Sequence, residues 1–146
     1  MVKEEHFGEI TLRKYERPYQ SSHRELVKKV CLSLGLLQPG DSRDIIVDIM
    51  LVLEEARKQK SWLSSFEIRD KIELVRKENS LEIKGIAESN IRRQLKRLRD
   101  AMIIDKQENK YRMSEFAPLK EIFETKIEKF LIPQIIERVK EYLGKL

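Results

Sequence analysis

The chain has 146 residues and a mass of 17.4 kDa, a size for one domain with a single core and room for a small oligomerisation element. With 30 Lys and Arg against 25 Asp and Glu it carries a formal charge of +5, and at 40% hydrophobic with 5 Gly and 4 Pro it is neither a disordered nor a low-complexity sequence. One cysteine, Cys31, excludes an internal disulfide, and Cys31, His6 and His23 are too few donors for structural zinc, so no metal or cofactor is expected.

Residues 1–21 read as an N-terminal arm, without a sustained period, carrying Lys3, Arg13, Lys14 and Arg17 and ending near Pro18. The first eight residues are charged and lack the apolar centre of a secretory signal, which sets the expectation of a cytoplasmic protein. Ser22 and Glu25 form a capping-box pattern ahead of Leu26, Val27, Val30, Cys31 and Leu34, so a first helix is expected over 22–35, closed by Gly35. Pro39-Gly40 makes a turn. Asp41 or Ser42 then caps a second helix whose inner face is Ile45, Ile49, Val52, Leu53 and Ala56, widened by Ile46 and Met50. The apolar run 45–53 is interrupted by Asp48 and falls far short of the roughly 20 residues that span a bilayer.

Residues 60–63 read as a short link. Ser64 and Glu67 form a second capping box, with Leu63 and Ile68 placed as a hydrophobic staple, and open a third helix over 64–77 that buries Ile68, Ile72 and Val75. Residues 78–85 form a loop with a short extended piece at 81–83. A fourth helix over 87–102 carries Ile91, Leu95, Leu98 and Met102 on one stripe. Two short strands follow around the polar tip Gln107-Glu108-Asn109, with Tyr111 packed on the sheet. From 116 on, Leu119, Phe123, Ile127 and Phe130 form one stripe and Ile132, Ile136, Val139, Leu143 and Leu146 another, with a kink or break at Pro133. Glu, Lys, Ile and Leu are abundant and Asn, Gln and Cys scarce, a bias reported for thermophile proteins.

The fourth helix and the hairpin carry most of the information about function. At about 100° per residue, the arc opposite the apolar stripe holds Ser89, Arg93, Lys96 and Asp100, flanked by Asn90 and Arg97. Residues 86–112 contain eight basic and four acidic side chains, a net +4, whereas residues 116–146 hold six and five. A basic helix face is often merely solvated; this segregation favours a polyanionic partner. Arg suits a bidentate pair to guanine and Asn one to adenine, while Ser89 suits a phosphate oxygen or its own cap.

The order helix, helix, link, helix, loop, basic helix, hairpin, with the residues from Ser89 through Lys106 and Tyr111-Arg112-Met113, resembles the recognition helix and wing of winged helix-turn-helix proteins over about 42–114. It is similar to dimeric prokaryotic transcriptional regulators of the multiple-antibiotic-resistance and arsenic-repressor types. The first type's Asp-x-Arg wing signature is replaced by Asp105-Lys106-Gln107, and the second type's metal-binding cysteines are missing. The resemblance implies a mainly α fold with a small β-hairpin wing (α+β) and flanking N- and C-terminal helices: an arm at 1–21, a winged-helix domain at 22–115 and a helical dimerisation element at 116–146.

The function expected is sequence-specific binding of double-stranded DNA by a homodimeric regulator, through Ser89, Asn90, Arg92, Arg93, Lys96, Arg97, Lys106, Asn109 and Lys110. The two subunits are expected to pair through Phe116, Leu119, Phe123, Ile127, Phe130, Ile136, Val139 and Leu143. The rival is a protein-binding adaptor, which would show an exposed apolar patch where Arg93 and Lys96 stand. RNA binding is a weaker third reading, because aromatics are not interleaved with the basic residues. No membrane association is expected. No phosphate loop, zinc-protease helix or nucleophile elbow occurs, so an enzyme is not expected. Cys31 falls on the first helix's apolar face, His6 and His23 suit surface or capping roles, and Trp62 reads as part of the staple beside Leu63.

Overall fold

The computed structural model of the chain describes residues 4, 5 and 7–146, so the expectations for Lys3 and His6 lie outside the described residues. The molecule is mostly helical with one small antiparallel sheet, an α+β arrangement. The elements are α1 (His23–Ser33), α2 (Ile45–Lys58), β1 (Leu63–Ser64), α3 (Ser65–Glu78), α4 (Glu88–Asp100), β2 (Ile104–Gln107) and β3 (Lys110–Met113). After a short 3-10 turn, Ser114–Phe116, come α5 (Leu119–Ile122), a π-helical stretch Phe123–Leu131 and α6 (Ile132–Leu143). Among the described residues no helix is long and apolar enough to cross a membrane.

The centre of the core is α2. Its apolar residues lie on nearly every face, so it must be covered from all sides; Ile45, Ile46, Val47, Ile49, Met50, Val52, Leu53 and Ala56 are all buried. Cys31, Leu36 and Leu37 cover it from α1 and the following turn, Ile68 and Ile72 from α3, Ile91, Leu95 and Leu98 from α4, and Tyr111 and Met113 from β3. Burial pushes the Cys31 thiol up to about 12, which suits a core residue and not a sensor.

Serine caps begin two helices as the spacing predicts: Ser22 Oγ accepts the Glu25 N–H, and Ser64 and Glu67 complete a reciprocal capping box at 3.1 Å each way. Neither Asp41 nor Ser42 caps α2. Asp44 takes the cap position without a capping bond, because its carboxylate is committed to Arg24 and Arg76. These groups surround the buried Asp48, which accepts from Arg24 Nη1 and from Arg76 Nη1, each at 2.6 Å. Arg76 therefore takes the inward place on α3 foreseen for Val75, which is only half-buried. Its Nε also donates to the Glu82 carbonyl, tying the loop after α3 to α2.

The sheet has three strands in the order β1-β3-β2, where the spacing predicted two. The link before α3 supplies the third, Leu63 pairing with Tyr111 and Ser64 with Lys110. The hairpin between β2 and β3 turns on Glu108 and Asn109, both at positive φ as a tight two-residue turn requires. No strand forms at 81–83.

The C-terminal region also departs from expectation. Backbone angles stay helical from α5 through α6, so the chain does not break into two helices at Pro133, which sits where the wide π winding returns to α. Ile122, Ile127 and Leu131 face the chain's own body and are buried. Ile127 is thereby removed from the expected dimer contact, while Phe116, Leu119 and Phe123 are half-buried against the core or its edge. α6 has no buried residue, and Phe130, Ile136, Val139 and Leu143 stay exposed.

Candidate nucleic-acid interface

Ile91, Leu95 and Leu98, all fully buried, fix the rotation of α4 on the body, and the opposite face is left to solvent. Met102, expected to close this stripe, lies beyond the helix end at φ 64. There the Ile103 N–H reaches the Leu98 carbonyl at 3.0 Å and the Met102 N–H that of Arg99 at 2.9 Å, a Schellman closure. It turns the chain directly into β2, so the hairpin stands beside the last turns of α4.

The nine residues named from the sequence separate into three groups. Ser89, Arg92, Arg93 and Lys96 lie exposed along α4, Arg92 held by Glu88 at 3.0 Å and Lys96 by Asp100 at 3.3 Å. The N-cap of α4 is Ala87, so Ser89 sits inside the first turn and does not cap. Lys106, Asn109 and Lys110 lie exposed on the hairpin. Asn90 and Arg97 point back to the body. Asn90 Nδ2 donates to the Gly85 carbonyl at 2.6 Å, and Arg97 donates to Gln94 and to the Gly35 carbonyl. Gly85 itself sits at φ 77, a conformation that strains any side chain, and a Cβ there would meet Ile45 at 3.1 Å and Asn90 at 3.2 Å, both tight contacts.

Between α4 and the hairpin runs a concavity of about 610 Å³, with Lys96, Arg99, Lys106, Gln107 and Arg112 among its lining residues. Arg99 and Lys106 have no carboxylate partner among the described residues, and neither has Arg93 on the same helix. Arg99 was missed from sequence although it belongs to the same charge run. Arg112 is occupied differently. Its guanidinium lies 4.5 Å from the Trp62 ring centre and 4.7 Å from that of Phe116, and its Nε donates to Asp105 at 2.9 Å. Asp105 also accepts the Glu115 N–H at 3.0 Å. Trp62 is thus a stacking wall at the base of the hairpin, where the sequence had pointed to a staple. This arginine, two rings and one carboxylate fix the hairpin against the body.

Asp100 and Asp105 also line the concavity and pair with Lys96 and Arg112, which leaves Arg99 and Lys106 as its two cations without a carboxylate partner among the described residues. Among the described residues no cluster of His, Cys, Asp and Glu could hold a metal ion. Comparison with protein-family models, curated proteins and solved structures finds no match to this chain.

Proposed function

We propose that the chain is a winged helix-turn-helix protein that binds double-stranded DNA as a homodimer and acts as a transcriptional regulator in the cytoplasm. The order helix, strand, helix, helix, hairpin from α2 to β3, with β1 paired onto β3, supports this reading. The observation that carries it is the set of uncompensated cations exposed on α4 and the hairpin, Arg93, Arg99 and Lys106, the last two lining the same concavity. α4 enters the major groove with Arg93 and Lys96 toward the base edges, and Arg99 and Lys106 take phosphates of one backbone strand between helix and wing. Asn90 and Arg97 set the height of α4 on the body. The homodimer forms through the exposed apolar residues of α6, and its symmetry asks for two half-sites about one helical turn apart. An adaptor would present apolar side chains at 93 and 96; the chain has cations there.

Salt-titrated binding to duplex DNA, single-stranded DNA and RNA tests the reading. The two phosphate contacts per subunit, Arg99 and Lys106, give a log K against log salt slope of roughly −3.6 for a dimer on duplex DNA. Equal affinity for all three nucleic acids, or none for duplex, contradicts it.

A further inference from the structure

We infer that Arg92 is a guanine reader whose guanidinium is preset from α3: Ser65 and Glu88 hold one edge of it and leave the other edge to the base. The inference rests on the duplex DNA reading above and adds to it one specificity-determining residue with two positioning residues behind it.

Among the cations exposed on α4, Arg93 and Arg99 have no carboxylate partner among the described residues, while Arg92 and Lys96 are each paired one turn away along the helix. The two pairs differ in what stands behind the carboxylate. Asp100 is 67% exposed and accepts from Lys96 alone among the described side chains, a surface pair of the kind that holds little. Glu88 is 27% exposed, and the oxygen that accepts from Arg92 Nε at 3.0 Å also accepts from the hydroxyl of the buried Ser65. Ser65 is the first residue of α3, set by the capping box that starts at Ser64. Phe66 follows it, exposed, with its ring centre 6.0 Å from the Arg92 guanidinium. α3 therefore holds Arg92 through Glu88 and flanks it with a ring. Glu88 Oε2 is buried without a hydrogen-bond partner among the described residues, a cost that an ordinary surface pair does not carry and that functional sites do.

A guanidinium presents its N–H donors in a planar fork. With Nε turned to Glu88, the two Nη groups of Arg92 make no hydrogen bond among the described residues. A pair of parallel donors matches O6 and N7 of guanine. Arg92 stands near the start of α4, the part of a reading helix that meets base edges. At about 100° per residue, Lys96 lies between Arg92 and Arg93 on the exposed arc, so the three side chains share one face. A free guanidinium must be ordered when it meets a base, whereas one already held loses less freedom and tolerates fewer alternative bases. A phosphate contact carries no base information and needs no such setting.

The test uses the full chain and duplexes drawn by in vitro selection from a random library. The parent protein should select a half-site with a fixed guanine, and replacing that base by 7-deazaguanine, which lacks the N7 acceptor, should weaken binding by about tenfold. Arg92→Ala, at an exposed site, should lose the preference and bind both duplexes alike. Glu88→Gln and Ser65→Ala should each lower the parent's discrimination several-fold at an unchanged salt slope, and should change nothing when added to Arg92→Ala. A merely structural role would act equally in both backgrounds. Should Ser65→Ala not fold, Glu88→Gln, at a half-buried surface position, carries the same comparison. An Arg92→Ala protein that keeps the guanine preference overturns the reader. Full discrimination in folded Glu88→Gln, or a loss that is the same with and without Arg92, overturns the presetting. A parent that binds duplex DNA without selecting a guanine overturns the inference and leaves the DNA reading standing; a parent that does not bind duplex DNA removes both.

Discussion

Replacing Arg76 by Met tests whether the buried ion network holds α3, and through it α4, in place. Arg76 is 6% exposed and Asp48 1%. The guanidinium donates to Asp48 at 2.6 Å, to Asp44 at 3.2 Å and to the Glu82 carbonyl. Arg76→Met fills much of the same volume and leaves the Asp48 carboxylate with Arg24 alone and the Glu82 carbonyl without its donor. Removing one partner from a buried pair costs about 3–5 kcal/mol, which for a chain of this length lowers the melting temperature by roughly 10–15 °C. Urea unfolding followed by circular dichroism gives the free energy directly. The double change Arg76→Met with Asp48→Asn removes the stranded charge together with its partner, so it should cost less than the two single changes added together. A loss below about 1 kcal/mol for Arg76→Met, or strict additivity in the double variant, would refute the reasoning.

Three further outcomes are expected. Leu95→Ala, at the middle of the buried stripe of α4, should destabilise by about 2–5 kcal/mol; an unchanged melting temperature would mean that α4 is turned the other way. Lys60 ends α2 at φ 51, where the Ser61 N–H reaches the Ala56 carbonyl, so Lys60→Gly should stabilise by about 1 kcal/mol in a thermal melt; a lower melting temperature would contradict the closure. Burial opposes ionisation of Asp44, but the bonds and charges of Arg24 and Arg76 outweigh it, and the Ser64 N–H with its hydroxyl likewise holds Glu67 below the usual carboxylate range. Both therefore contribute stability above their unfolded values, 3.8 and 4.5, that is lost as pH falls through the folded ones. Asp44→Asn should flatten the acid limb of stability measured from pH 6 to pH 3; an identical limb would sink that account.

What could be read from the sequence follows from which forces act locally. Helix starts were legible at Ser22 and Ser64, because a cap and its partner lie three residues apart. Helix ends were less so. Gly35 closes α1, but Lys60, Ser80 and Met102 occupy the left-handed position that glycine usually marks after α2, α3 and α4. The strand at Leu63–Ser64 is too short to show alternation and exists only because β3 pairs with it. In the C-terminal helix an α period assigned the stripes, and the π winding turned Ile122 and Leu131 inward instead. For the site, a helical wheel put Arg92, Arg93, Lys96 and Arg99 outside but could not see that Asn90 finds an acceptor at Gly85 in the preceding loop and Arg97 one at Gly35, 62 residues away in the chain. Asp48 did leave a signal, a carboxylate inside an apolar run, and Arg76 follows Ile68 and Ile72 at helical spacing. Their pairing is set by tertiary packing and leaves no local trace.

The most direct test of the central claim is the salt dependence of duplex DNA binding by the Arg93→Ala, Arg99→Ala double variant. Both side chains are exposed on α4 and neither supports the Ile91, Leu95 and Leu98 stripe, so the variant should fold with the melting temperature of the parent. If all four arginines of a dimer meet phosphates, the slope of log K against log salt becomes shallower by roughly 3.6. If Arg93 reads guanine instead, its share appears as a loss of discrimination between sequences, about 1–3 kcal/mol per site, and the slope changes by about half as much. A folded double variant that binds duplex DNA with the parent's affinity, sequence preference and salt slope would take α4 out of the interface.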